Sequence, residues 1–361
     1  MTGAPLLKDI LGPAALLSIA DAATSPLFDR ATFLRAAGDG LAALSIMERV
    51  RHIADALHQA LPVPYRDALA VVRAMAPGVT HGFQAVALAD YVARHGLHDI
   101  AASTEALADL TRFGSAEFAV RPFLARDPER MLAIMLGWAD DPDDHVRRLA
   151  SEGARPRLPW AARVPALKAD PTFATPILER LKGDPSAYVR KSVANHLNDI
   201  TRENPLWVLD RLEQWPQDDP HTRWIIRHAL RTLIKQGEPR ALALIGASGE
   251  ALVDVSGLSL APATLHLGDR LTIAVDLVST ATAPQRLVVD YRVHYARPGG
   301  KTAAKVFKLK TLDLAPGAHL RLAIDQTIRD FSTRKHHAGR HRVEIIVNGQ
   351  TRAEGAFEIL P

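Results

Sequence analysis

The feature that most constrains this chain is a register of Asp-Pro dipeptides. They stand at 127/128 and 141/142 and return at 170/171 and 184/185, each 43 residues further on. Asn204-Pro205 and Asp219-Pro220 continue the series at a shorter interval. Aspartate accepts from the free amides of a first helical turn and proline suits the first helical position, so each pair predicts a helix start. The segments that follow match as well, HVRRLASEG at 145–153 aligning with YVRKSVANH at 188–196. Two helices per unit at this period predict a HEAT-like α-helical solenoid, in which each repeat buries its apolar face on its neighbours. Upstream, Leu44, Met47, Val50, Ile53, Ala54 and Leu57 form an amphipathic stripe that Pro62 and Pro64 interrupt.

After IGASGE (245–250) the apolar period changes to two. LTIAVDL, LVVDYRVHY, HLRLAID and HRVEIIV alternate, separated by the turn signals LGD, RPGG, APG and NGQ. Several such strands in so short a segment predict an immunoglobulin-like β-sandwich. The domains are therefore expected at 1–245, helical, and 251–361, β, with a linker at 246–250.

Composition excludes several chemistries. No residue is cysteine, so disulfides, thiolate metal sites and cysteine nucleophiles are ruled out. The N-terminal apolar stretch is interrupted by Lys8, Asp9 and Pro13 and reads as a helix, not a secretory signal. No apolar run approaches the length of about 18 residues that a membrane span needs. The net charge of +4 is compatible with a polyanionic partner.

The densest chemistry lies in DDHVRRLASEGARPRLPWA, 143–161, where Glu152 sits among Arg147, Arg148, Arg155 and Arg157, with Trp160 beyond. Continuing the helix through Arg155 places Glu152 on one edge beside Arg148 and Arg155. In the next repeat Asp199 falls near the corresponding edge, beside Lys191. These acids also fit a plain alternative: Glu152 is spaced to make surface ion pairs with Arg148 and Arg155, Asp199 to be a solvated helix-end residue and Trp160 to pack between repeats. The basic pairs recur, as Arg147/Arg148, Arg190/Lys191 and Arg227 with Arg231, and cations one repeat apart suit a phosphate backbone.

HVRRLASEGARPRLPWA, YVRKSVANHLNDI, NPLWVLDRL and the N-terminal FDRATFLRAAGDGLAALSIMERVRHIADAL together resemble the AlkC branch of the HEAT-like DNA alkylation-repair glycosylases. The resemblance covers about 1–245, and some members carry an immunoglobulin-like domain after the repeats. It implies excision of cationic alkylated bases, N3-methyladenine and N3-methylcytosine, from double-stranded DNA. It also implies that no metal or cofactor is needed and that the base is not flipped into a pocket, unlike most glycosylases. Glu152 matches the family's active-site glutamate, Asp199 the second acid and Glu117 a weaker third; Trp160 would lie against the deoxyribose or lesion. Arg148, Arg155, Arg190 and Lys191 would grip phosphates, with Arg227 and Arg231 extending the row. A monomer in the cytoplasm, associated with the bacterial nucleoid, is the matching expectation.

RKHHAGRHR (334–342) reads as a basic loop between strands. Arg334, Lys335, Arg340 and Arg342 would touch DNA, and nothing nearby supplies acidic ligands that would make His336, His337 and His341 a metal site. Helical repeats are common protein-binding platforms, so a non-enzymatic scaffold is the competing function.

Overall fold

The computed structural model describes residues 6–247, 250–331 and 335–361. Packing divides the chain into two compact units, Met1–Ala229 and Leu230–Pro361.

The described residues of the first unit carry helices and no strands. The helix Ile46–Ala60 shows how its elements arise. The amide and hydroxyl of Ser45 both donate to Glu48, at 2.8 and 2.6 Å, and so cap the first turn. Val50, Ile53, Ala54 and Leu57 are fully buried, whereas Leu44 and Met47 are half-buried. Burying one such aliphatic side chain stabilises by roughly 1.5–3 kcal/mol, so this face directs the helix onto its neighbour, Gly82–His95. The N-terminal stretch, expected as one helix, is a 3-10 turn at Leu7–Leu11 and then a helix at Pro13–Ala22. Gly12 is extended between them, and Pro13 takes the first position of the second piece.

Asp-Pro dipeptides do two jobs. At 127/128, 170/171 and 219/220 they start helices: Asp127 accepts from Arg130 N, Asp170 from Thr172 N and Asp219 from Thr222 N. At 141/142 and 184/185 they instead form the loop before the helices Asp144–Gly153 and Ala187–Ile200. There Asp141 and Asp184 accept from the amides of Asp143 and Ser186, both at 2.8 Å. An arginine then reaches back to the loop carbonyls. Arg147 Nη1 donates to those of Asp141 and Pro142 at 2.9 and 3.0 Å, and Arg190 Nη1 to those of Asp184 and Pro185 at 2.8 Å each. The same construction thus repeats 43 residues apart. Arg147 also grips the Asp184 carboxylate at 2.7 and 3.1 Å, tying one repeat to the next. Helix Ala187–Ile200 packs between Asp144–Gly153 and Pro220–Ala229.

The second unit is a two-sheet sandwich preceded by two short helices. Its strands are β1 (Val253–Ala261), β2 (Thr264–Leu265), β3 (Arg270–Ser279), β4 (Gln285–Ala296), β5 (Thr302–Leu314), β6 (His319–Thr327), β7 (Gly339–Val347) and β8 (Gln350–Ile359). One sheet has the order β1-β3-β6 and the other β2-β8-β7-β4-β5, with all pairs antiparallel except β2-β8. Leu271, Ile273, Val275 and Leu277 of β3 face Leu287, Val289, Tyr291 and Val293 of β4 in one core, as the alternation predicts. Asn348 and Gly349 turn β7 into β8 with φ of 45° and 81°, the positive-φ pair that a tight hairpin demands.

The helices Arg231–Gln236 and Pro239–Leu244 belong to this unit. The units therefore divide between Ala229 and Leu230, ahead of the linker read from the sequence at 246–250, of which 248 and 249 lie outside the described residues. Contacts far apart in sequence explain this. Arg286 Nη1 donates to the Ile245 carbonyl at 3.2 Å. A Cβ added to Gly349 would lie 2.3 Å from Gly237 Cα, so the two backbones touch at a place where only glycine fits.

Candidate active site

Three acids and two arginines meet in the helical unit, Arg148 and Glu152 from one helix and the others from elsewhere along the chain. Glu152 comes from the last turn of helix Asp144–Gly153, and Asp199 from the last turn of Ala187–Ile200. Glu117 comes from the turn before Arg121–Arg126, not from a surface helix. The helix carrying Glu152 ends at Gly153, where the chain passes tightly against its neighbour: a Cβ at Gly153 would lie 2.5 Å from Val120 Cγ2. Arg155 therefore leaves the helical path, and its side chain turns inward.

Arg155 bridges the two principal acids. Its Nη1 donates to Glu152 Oε1 at 2.6 Å, while Nε and Nη2 donate to Asp199 Oδ2 and Oδ1 at 2.9 and 3.2 Å. Arg148 Nη1 donates to Ser115 Oγ at 2.6 Å and pairs with Glu117 Oε2; its Nη2 lies 3.4 Å from Glu152 Oε1. Ser115 Oγ in turn donates to Glu117 Oε2 at 2.6 Å. Among the described residues, both oxygens of Asp199 are engaged by Arg155, whereas the contacts of Glu152 run through Oε1. Glu152, Asp199 and Arg155 are only 5%, 7% and 8% exposed, so their mutual attraction is screened far less than at a surface. Burial pulls the Arg155 guanidinium down, but Asp199 and Glu152 outweigh it and hold it above its ordinary value. Three carboxylates pair with two guanidiniums in the cluster, and the guanidinium of Arg121 lies behind them on backbone carbonyls.

The expected phosphate-gripping role does not suit Arg148 and Arg155, because both are spent inside the cluster. The extrapolated helix placed them outward; the helix end and the burial of the acids turn them in. Arg147 and Arg190 hold loop carbonyls, and Arg190 also stacks its guanidinium 5.9 Å from the Trp224 ring. Lys191 and Arg227 are the exposed members of the row. Arg231 opens a helix of the second unit rather than extending the repeat helices. Trp160 is 60% exposed and holds φ of 65°, a left-handed conformation costly for a bulky residue.

In the sandwich, Arg340 and Arg342 lie on β7, not in a loop, because the strand already begins at Gly339. Arg342 pairs with Glu344 at 3.0 Å, Arg340 and Lys335 are exposed, and Arg334 lies outside the described residues. His336 and His341 are buried, and His341 stacks on Phe357 at 5.1 Å.

Four supporting residues escape a reading of motifs. Tyr188 lies under Arg148, its ring centre 5.0 Å from the guanidinium. Its signal was the repeat alignment, which pairs it with His145 at the head of the preceding helix. Ser115 orients Glu117. His196, pushed by burial down to about 3 and therefore neutral, has Nδ1 3.0 Å from the Ser151 carbonyl; as the donor it ties the Asp199 helix to the Glu152 helix. Arg121 is almost fully buried, and burial pushes it down to about 10. It donates to the carbonyls of Gly153, Arg155 and Ala162 at 2.8–2.9 Å. No sequence signal separates Arg121 from a surface arginine.

The fold and site together define a helical-repeat protein with a buried cluster of carboxylates and guanidiniums, joined to an immunoglobulin-like sandwich. Residues 47–233 match the family described as "DNA alkylation repair enzyme", and 254–361 match the C-terminal Ig-like domain of YhaZ, itself described as uncharacterised. The chain belongs to the DNA alkylation repair enzyme family. It is 39% identical over 316 residues to "Uncharacterized protein YhaZ" of Bacillus subtilis (strain 168), covering 88% of each chain. It is also 48% identical to the Pseudomonas fluorescens alkylpurine DNA glycosylase AlkC, solved bound to DNA containing an abasic site analog. That match covers 99% of this chain and 100% of the other, with a TM-score of 0.96.

Proposed function

We propose that this protein is a monofunctional DNA glycosylase. It hydrolyses the N-glycosidic bond of cationic alkylated bases, N3-methyladenine and N3-methylcytosine, in double-stranded DNA. The observation that carries the reading is the buried carboxylate cluster, in which Glu152 is held through Oε1 and keeps Oε2 available to a substrate. Similarity to a glycosylase solved on abasic-site DNA supports both the activity and the polyanionic partner.

The chemistry follows from the charges. A base alkylated on a ring nitrogen is already positive, so it leaves without a general acid. What the protein must supply is stabilisation of a sugar that gains oxocarbenium character, and a positioned water. Glu152 Oε2 is suited to both tasks, much as the second carboxylate serves in glycoside hydrolysis. Glu117, held from one side by Ser115 and Arg148, adds to the negative potential. The exposed Trp160 indole offers its face to cationic character. That the base stays unflipped rests on the resemblance to AlkC. Lys191 and Arg227, with Lys335, Arg340 and Arg342 of the sandwich, are proposed to meet phosphates, and the protein is proposed to act as a cytoplasmic monomer near the nucleoid. Among the described residues no helix is long and apolar enough to cross a membrane.

Base release from methylated duplex DNA under single-turnover conditions tests the reading. Release by wild type that is lost in Glu152→Gln supports it. Specific DNA or protein binding with no release would leave the scaffold function in its place.

A further inference from the structure

We infer that Asp199 acts on the reaction through Arg155, and that Arg155 is the positioning residue that holds Glu152 with one oxygen free for substrate. The inference rests on the glycosylase reading above. Arg155 consumes both oxygens of Asp199 and only one of Glu152. A carboxylate with both oxygens engaged by one bidentate guanidinium presents less of its charge to a substrate than one held through a single oxygen. It fixes the plane of the guanidinium instead, which a rigid fork transmits to whatever its third nitrogen binds. That third contact is Glu152 Oε1 at 2.6 Å.

The arginine is held from behind as well. Arg121 Nη1 donates to the Arg155 carbonyl at 2.8 Å, and the same nitrogen donates to that of Gly153 at 2.9 Å. Backbone and side chain of Arg155 are thus both set by other groups, as expected of a part that orients rather than grips. Arg155 also lies too deep for a phosphate to share with the two carboxylates. The charged and titratable groups around Glu152 are Arg148 on its own helix, Arg155 on the turn, Glu117 from the preceding turn, Arg121 behind, and Tyr188, His196 and Asp199 from the next repeat helix. Of these, Arg155 makes the shortest contact to Glu152.

A double-mutant cycle tests the inference. Single-turnover release of N3-methyladenine is measured for wild type, Arg155→Met, Asp199→Asn and the double variant, with Arg155→Lys as the conservative control. Each single change is expected to lower the rate by about 10²-fold, the usual effect of one misplaced electrostatic group. The double variant should fall no further than Arg155→Met, because Asp199 then has nothing to act through. Arg155→Lys keeps the cation but loses the planar fork, so it should restore only part of the rate lost in Arg155→Met. Losses that multiply to about 10⁴-fold would overturn the inference. If Arg155→Met does not fold, the cycle is run with Arg155→Lys, whose loss of the fork should again mask Asp199→Asn. If wild type releases no base, the glycosylase reading fails by itself. The cycle is then read from the affinity ratio between duplexes carrying a protonated pyrrolidine and a neutral tetrahydrofuran abasic analogue. Non-additive loss of that preference upholds the inference, and additive loss overturns it.

Discussion

Arg121 and Arg155 are joined backbone to side chain: the buried guanidinium of one donates at 2.8 Å to the carbonyl of the other, whose own guanidinium lies between Glu152 and Asp199. One arginine shapes the turn and the next fills it. Arg121→Met should leave the carbonyls of Gly153, Arg155 and Ala162 short of a donor. The expected cost is about 2–3 kcal/mol, since a buried group left unsatisfied loses its full desolvation free energy. Urea unfolding at pH 7 measures it. A variant as stable as wild type would show that water replaces the guanidinium.

Glu152→Gln and Asp199→Asn should each reduce single-turnover base excision by about 10²–10³-fold, while circular dichroism and undamaged-DNA affinity stay close to wild type. Near-wild-type rates in both variants would remove the cluster from the mechanism.

Trp160→Gly should separate stability from function. Its φ of 65° costs a bulky residue about 1–2 kcal/mol that glycine does not incur, so the variant should unfold no more easily than wild type. Its excision rate should nevertheless drop at least about tenfold, the equivalent of one desolvated cation–π contact. Unchanged excision would reduce Trp160 to an incidental surface residue.

DNA affinity should decline steeply with salt. Lys191→Ala and Arg227→Ala, exposed on consecutive repeat helices, should each flatten the log–log slope by about one unit. Arg148→Ala should leave that slope alone, because its guanidinium is engaged with Glu117 and Ser115. Titrations at several salt concentrations decide between them.

Asp290 on β4 makes the second unit sensitive to pH. Burial pushes its carboxyl up to about 6, against the weaker pull of Lys235 and Lys308. The folded state therefore holds a proton that the unfolded state has released, and stability falls as pH rises from about 4 to about 6. Asp290→Asn should remove that dependence and stabilise the unit at pH 7 by up to about 3 kcal/mol. A truncation keeping residues 230–361, which retains the two short helices, is the protein to melt. Parallel pH–stability curves for the two would show that Asp290 stays ionised.

Local chemistry made much of this molecule legible beforehand. The helix-starting dipeptides, the switch from a helical to a two-residue period and the turn glycines all act over a few residues. A single sequence therefore reveals both units, and the string around Glu152 points to the acids. Tertiary structure decided which way the charges face. Arg155 turned inward because it lies beyond the helix end at Gly153, where Glu152 and Asp199 can receive its guanidinium. Arg147 and Arg190 became loop clamps because the carbonyls of the Asp-Pro loops just ahead of their helices needed donors. The unit boundary moved ahead of the apparent linker because Gly237 and Gly349, far apart along the chain, meet backbone to backbone. Periodicity reports which residues can be buried on one face. Whether a buried charge binds a partner molecule or its own fold depends on neighbours that only the folded chain brings within hydrogen-bond reach.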